Sequence, residues 1–363
     1  MSNFLDLATE IHSIQTSCMK NRVDFVDIYD DNNVGALDSG NVNDNMVNVD
    51  QLDGLAQENL PCIKVSENVD CSDIYSVEFD RNPSPLKPEK FLIWLDGYDK
   101  FEKAQLLHNL NNGIRVPSSK DCSNQLDIPL NHNSTYSFQE SVQKKISSNL
   151  DKGWVAGPFP IRPKDLIVSP LASIPKKESG SRRVIHNLSH PYGDSVNSNI
   201  PSHFSKVSYE TLDTCIDIIA SIGEGTLVAK GDILDAYYIL KIEKNSYKLL
   251  GFFWQGNYYF QKCLPMGLTT SCNEFELFSR AVQWILINKL NVKHMSHILD
   301  DFMFFGRPDT NDCLNGLNAF IALSESLGIP LKEEKTVLPT TRVELHGILV
   351  DTKEMKLIVP DDK

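Results

Sequence analysis

The segment HILDDFMFFG, residues 297–306, constrains this chain most, because two apolar runs flank an adjacent acidic pair, Asp300 and Asp301. Ile298 and Leu299 on one side, and Phe302 to Phe305 on the other, have the length and composition of short buried strands. A tight turn between them predicts a hairpin with both carboxylates at its tip. Upstream, Asp232 closes a third apolar run, LVAKGD. Asp is common in turns, so an isolated pair says little. A charge at a strand end beside a core, however, is costly unless it faces a cation or an open cleft. Two strands that bring Asp232 and the pair together around metal would meet that condition.

The chain of 363 residues is 41% hydrophobic, enough for a substantial core. It has no run of about 18 apolar residues, and its first residues lack the basic flank and apolar core of a signal peptide. The expectation is an intracellular protein of cytoplasm or nucleus, neither secreted nor membrane-spanning. Eight cysteines show no CxxC pair and no zinc-ligand spacing, which predicts reduced, packed thiols. The net charge of -13 is unevenly spread: residues 1–84 carry 16 acidic and 4 basic side chains, the remainder 32 and 31. Acidity therefore belongs to the N-terminal segment. The rest is near neutral, and its basic cluster Lys176, Lys177, Arg182 and Arg183 is compatible with a phosphate-binding surface.

From Asp24 to Asp80 the chain is rich in Asp, Asn and Ser and lacks sustained periodicity, the signature of disorder; before it, Phe4, Leu7, Ile11 and Ile14 line up at helical spacing. NPSPLKP, residues 82–88, reads as an extended linker. The expected organisation is an acidic, disordered segment 1–84, a helical extension 85–153, and a larger unit 154–363. Helices are predicted up to Asn112 and Gly113, from Ser137 to Gly153, in SYETLDTCIDIIASIG, and over 311–327 ahead of Gly328. A longer one spans Asn273 to Leu290, with Phe275, Phe278, Val282 and Ile285 as its core stripe. LIVSPLASI and RRVIHNL predict a hairpin around KKESGS, GFFWQGNYYF a second around Gln255 to Asn257, and VELHGILVD with MKLIV a last strand pair. This order suggests an α+β sheet with helices on one face.

LVAKGDILDAYY, YYFQKCLPMGLTTSCNEF, HILDDFMFF, GIPLKEEKT and ELHGILVD follow one another in the order of the palm motifs of reverse transcriptases. Upstream, SPLASIPKKESGSRRVIHNLSHPYGDSVN resembles the fingers region, and the wording is most similar to DIRS-like retrotransposon enzymes. The resemblance covers roughly residues 90–363. It implies fingers and palm subdomains of a right-hand polymerase, with an antiparallel palm sheet and packed helices. Thumb, connection and ribonuclease H segments are expected to be absent from the chain.

The implied activity is RNA-directed DNA polymerisation, addition of deoxynucleotides to a primer 3′-hydroxyl by two-metal catalysis. Two Mg²⁺ ions, with Mn²⁺ as an alternative, would be held by Asp232, the Ile233 carbonyl and Asp300, with Asp301 beside them. By the same resemblance Asp235, Ala236 and Tyr237 would receive the incoming triphosphate, and Tyr237 would exclude a 2′-hydroxyl. Lys176 and Arg183 would grip the triphosphate from the fingers, a guanidinium being suited to phosphate oxygens. Lys335 would be the acid near the leaving pyrophosphate, while Met266 and Gly267 would face nucleotide and template. Implied partners are an RNA template, a DNA or RNA primer and deoxynucleoside triphosphates, together with ribonuclease H or integrase/recombinase proteins of the same element, and no membrane. Asn187, Cys272 and His346 stand where related sequences usually carry Asp, Pro and an apolar residue. A catalytically weak or inactive retroelement remnant, acting as an RNA-binding or interaction module, is the alternative from another class. An RNA-dependent RNA polymerase is a third reading, against which Tyr237 and LPMG speak.

Overall fold

Strand β4 (Leu227–Asp232) is the middle of the structure, because both of its faces are covered and both of its edges are paired. In this computed structural model the described residues are 74–75, 84–122, 125, 127–176 and 182–359. The stripe Phe4 to Ile14, nearly all of segment 24–80 and the turn after Lys176 lie outside them.

Helices α1 (Pro88–Trp94) and α2 (Lys100–Asn112) open the described fold. The Asp99 carboxylate caps α2 by accepting from the Phe101 and Glu102 amides, and Gly113 closes it at φ +93°. Next come α3 (Asn133–Ser137) and α4 (Gln139–Asp151). Ser137, expected to begin α4, instead ends α3, where its hydroxyl bonds back to the Asn133 carbonyl. Strands β1 (Val155–Phe159), β2 (Leu171–Pro175) and β3 (Arg182–His186) follow; β2 and β3 form the expected hairpin.

After α5 (Leu212–Ile222) and β4 come β5 (Gly251–Trp254) and β6 (Asn257–Gln261). These two turn at Gln255 and Gly256, both at positive φ, as the sequence predicts. Helix α6 (Ser271–Asn288), strands β7 (Met295–Ile298) and β8 (Asp301–Gly306), and α7 (Asp312–Leu327) complete the central layer. Strands β9 (Val337–Thr340), β10 (Arg342–Leu345), β11 (Ile348–Asp351) and β12 (Lys356–Ile358) end it. The central antiparallel sheet has the order β7-β8-β4-β9, and β1-β6-β5 and β10-β11-β12 are separate three-stranded sheets. The last is a correction: VELHGILVD is itself a hairpin, turning at His346 and Gly347, so a strand trio replaces the expected pair. Two successive positive-φ residues give the chain room to reverse there.

A second correction concerns the layers. In β8 successive side chains alternate faces, so Phe302 and Phe304 join one core with α6 and α7, while Met303 and Phe305 join another with α5 and β10–β12. A strand apolar on both faces needs cover on both. The expected one-sided sheet would have left Met303 and Phe305 in water, a loss of about 2 kcal/mol or more for each. The predicted stripe of α6 is fully buried, Phe275, Phe278, Val282 and Ile285 among it.

Gly231, one residue before Asp232, lets α7 lie close: a Cβ there would come within 2.6 Å of the Phe320 ring. Gly231→Ala is expected to lower unfolding stability by about 1–3 kcal/mol through overpacking, read as a lower urea midpoint at unchanged slope.

Candidate active site

Antiparallel pairing of β4 with β8 runs in register from Leu227 opposite Gly306 to Asp232 opposite Asp301. Alternation along both strands makes the two carboxylates cross-strand neighbours at the end of the sheet. Asp300 sits one residue earlier, in the two-residue turn Leu299–Asp300 between β7 and β8. The Ile233 amide donates to the Asp300 carbonyl at 3.0 Å, and the Lys332 amide donates to the Asp232 carbonyl at 2.9 Å. Backbone from three segments thus frames the acids.

The turn itself is strained. Leu299 adopts φ +53°, a conformation that costs a non-glycine residue about 1–3 kcal/mol. Ser279, fully buried on α6, donates its hydroxyl to the Leu299 carbonyl at 2.8 Å and holds the turn in place. Sequence reading missed Ser279 because a serine on the buried face of a helix carries no local sign of its partner.

Burial pushes the Asp300 carboxyl up to about 6; the Asp232 charge adds to the shift and Asp301 adds further. Burial likewise raises Asp232, opposed by Lys335, whose Nζ lies 2.8 Å from Asp232 Oδ2. For Lys335 burial works to lower the pKa, but the bond to Asp232 and the surrounding carboxylates outweigh it and raise the value. Asp301 pairs with Lys230 Nζ at 3.1 Å. Lys230 was read only as part of an apolar run; two residues before Asp232, it shares Asp232's face of β4.

Tyr237 rests its ring edge-on against Phe275, 5.2 Å between centroids, with its hydroxyl 3.3 Å from Cys272 Sγ. Ala236 begins a short 3₁₀ turn, Ala236–Ile239, preceded by Asp235 at φ +53° with no side-chain cap. The Asp235 carboxylate pairs with Lys152 at 2.8 Å. At Gly267, φ +114°, a Cβ would collide with the His186 carbonyl, so only glycine lets this loop lie against β3. Asn197, another residue the sequence reading missed, ties that loop by donating to the Gly267 carbonyl at 2.7 Å and accepting from the Thr269 amide at 3.0 Å. Met266, half-buried, lines a cleft together with Lys145 and Tyr238. Lys176 and Arg183 are exposed on the β2–β3 hairpin and share no hydrogen bond or ion pair with the three acids. The structure therefore gathers Asp232, Asp300, Asp301, Ile233 and Lys335, and leaves the two hairpin cations apart from them.

The donor set suits a hard divalent cation. Asp232, buried, and Asp300, half-buried, are mutually repelling carboxylates, and Mg²⁺ is typically held by one or two carboxylates with water and substrate oxygens filling its shell. Among the described residues no group of three or more His, Cys, Asp or Glu side chains forms a ready-made cage. Lys335 and Lys230 already engage two of the three acids. Protein oxygens therefore offer part of a coordination shell, not all of it.

No protein-family model matches the sequence, and no curated protein matches it. Solved structures do. A foamy viral protease-reverse transcriptase in complex with double-stranded DNA matches over 76% of this chain and 47% of its own, at 16% identity and TM-score 0.52. A second such DNA complex gives 76%, 57%, 16% and 0.51. A complex of the foamy viral protein with RNA/DNA hybrid gives 76%, 36%, 17% and 0.50. The fold is reverse-transcriptase-like. This chain spans less than two thirds of the length of each of those proteins. Among its described residues no helix is long and apolar enough to cross a membrane, and the five described cysteines form no disulfide.

The raised Asp300 carboxyl predicts a sign. A folded-state value of about 6 against an ordinary 3.8 means that folding favours the protonated acid. That contribution is complete below the ordinary value and lost as pH rises through 6. Asp300→Asn, which stays neutral, is expected to match the parent near pH 4 and to melt at higher temperature than the parent at pH 8 without divalent cations, as read by calorimetry.

Proposed function

We propose that this chain is the fingers and palm core of an RNA-directed DNA polymerase of retroelement type, adding deoxynucleotides to a primer 3′-hydroxyl on an RNA template. The observation that carries the reading is the β4–β8 register, which sets Asp232 opposite Asp301 with Asp300 in the adjoining turn, in a fold similar to reverse transcriptases. The foamy viral proteins of that fold are complexed with DNA and with RNA/DNA hybrid, which supports nucleic acid as the partner class.

In this reading Asp232, Asp300 and the Ile233 carbonyl hold divalent cations, Mg²⁺ or Mn²⁺, with Asp301 as a further carboxylate. Bound there, such ions would activate the attacking hydroxyl and stabilise the leaving oxygen. The chain's own groups do the rest. The half-buried Tyr237 ring, braced by Phe275, would lie under the sugar and exclude a 2′-hydroxyl. Lys335 stands at Asp232 as an ammonium that the surrounding carboxylates keep protonated, and it would serve as the acid beside departing pyrophosphate. Lys176 and Arg183, at the exposed hairpin, supply cations to the triphosphate. Met266 and Gly267 lie along the template and nucleotide.

A second reading, a non-catalytic nucleic-acid-binding or interaction module, is favoured by one observation: Lys335 and Lys230 satisfy Asp232 and Asp301 without metal. Primer extension on an RNA template with Mg²⁺ separates the two. The parent is expected to extend the primer, and Asp300→Asn to lose at least about a hundredfold in rate, the scale of removing a group that stabilises transition-state charge. Equal inactivity of both, with RNA binding retained, supports the module. Tyr237→Ala is expected to admit ribonucleotides that the parent refuses; unchanged sugar choice refutes the gate.

A further inference from the structure

Helix α6 buries more than its apolar stripe. Cys272, Glu276, Ser279 and Gln283 follow one another at i, i+4, i+7 and i+11, a spacing that lines them along one face of the helix. Cys272 meets the Tyr237 hydroxyl, and the other three lead to strand β7 and the turn after it. Ser279 reaches the Leu299 carbonyl, Glu276 Oε1 lies 3.1 Å from His297 Nε2, and Gln283 donates to Glu210 Oε1 at 2.8 Å. Glu210, half-buried two residues ahead of α5, accepts the His297 amide on its other oxygen at 3.2 Å. Strand β7 is an edge of the central sheet, so an outward amide there meets no further strand, and this carboxylate takes the place of one. His297 is thus held at its ring and at its backbone by two acids from separate segments.

The same ring lies nearly parallel to that of Phe302, 5.2 Å between centroids at 17°. Phe302 follows Asp301, and His297 precedes Asp300 by three residues, so one side chain braces both arms of the hairpin that carries the acids. Stability does not explain the pair. Glu276 and His297 are 3% and 1% exposed, and Glu276 Oε2 and His297 Nδ1 have no hydrogen-bond partner. Polar atoms left in that state cost the fold free energy, and apolar side chains of similar volume would fill the space as well or better. The pair supplies direction instead: a hydrogen bond fixes how the ring is turned on its strand, where an apolar contact lets it shift.

We infer that His297, fixed by Glu276 and Glu210, is a positioning residue for Asp300: it anchors the strand that runs into the strained Leu299 turn, and so sets where the Asp300 carboxylate meets a divalent cation. The inference rests on the cation site proposed at Asp300.

Mn²⁺ binding to the full chain, followed by electron paramagnetic resonance without primer, template or nucleotide, tests it. The quantity read is the Mn²⁺ bound by the parent and lost in Asp300→Asn, which sets aside ions attracted to the acidic N-terminal segment. Glu276→Leu combined with His297→Phe removes the pair, leaves none of its polar atoms behind and keeps a ring against Phe302. This double variant is expected to melt at or above the temperature of the parent. It is expected to weaken the Asp300-dependent binding about tenfold, the low end of the cost of losing a group that supports a metal ligand from behind. Glu276→Gln keeps an acceptor oxygen for the ring and is expected to recover most of the binding. Glu210→Ala, at the more exposed end of the set, frees the His297 amide and is expected to weaken binding severalfold.

A folded double variant that binds Mn²⁺ like the parent overturns the inference, as does a Glu276→Gln variant that loses as much as the apolar pair. If the double variant does not fold, Glu210→Ala decides, and parent-like binding by it is the overturning result. A parent without Asp300-dependent Mn²⁺ binding removes the cation site and the inference with it; a parent that binds, beside variants that bind equally, removes the inference alone.

Discussion

The antiparallel register between β4 and β8 is the constraint on which the site depends. Six consecutive pairs, from Leu227 with Gly306 to Asp232 with Asp301, make the position of one acid a consequence of the position of the other. A slip of one residue would turn Phe302 and Phe304 from one core to the other and carry Asp301 to the opposite face. The packing that fills both cores therefore also sets the carboxylate geometry. Gly231 belongs to the same arrangement, since α7 approaches β4 closely enough to lock the register only where no side chain intervenes.

That geometry concentrates negative charge where water is scarce. Burial raises both Asp232 and Asp300, and the structure offsets the repulsion with cations of its own, Lys335 on Asp232 and Lys230 on Asp301. Asp300 is pushed up to about 6. A strained Leu299, latched by Ser279, presents it. A site in which two of three acids are held by ammonium groups and the third by none is suited to accept a divalent cation.

Much of this was legible along the chain because it depends on short-range pattern. The Phe275, Phe278, Val282 and Ile285 stripe, the Gln255–Gly256 turn and the hairpin carrying Asp300 are all local, and each was read correctly to within a few residues. Two misreadings have physical causes. His346 and Gly347 look like the interior of one strand until their positive φ makes them a turn. The apolar run of β8 cannot say whether one face or both will be covered, because that depends on where α5 and β10–β12 come to lie.

By itself the sequence determined most of the elements and their order, though not β1 or β9, together with the acidic N-terminal segment and the presence of three aspartates at strand ends, since periodicity, turn chemistry and charge are properties of neighbouring residues. Only the tertiary structure decided that Lys230 and Lys335 neutralise two of those aspartates, that Ser279 latches the turn presenting the third, and that Lys145 and Lys152 gather over Trp154 and Tyr238. Nearly all of these contacts join residues distant in the chain or on different elements. Their strength depends on distance and burial, which no local pattern of residues records.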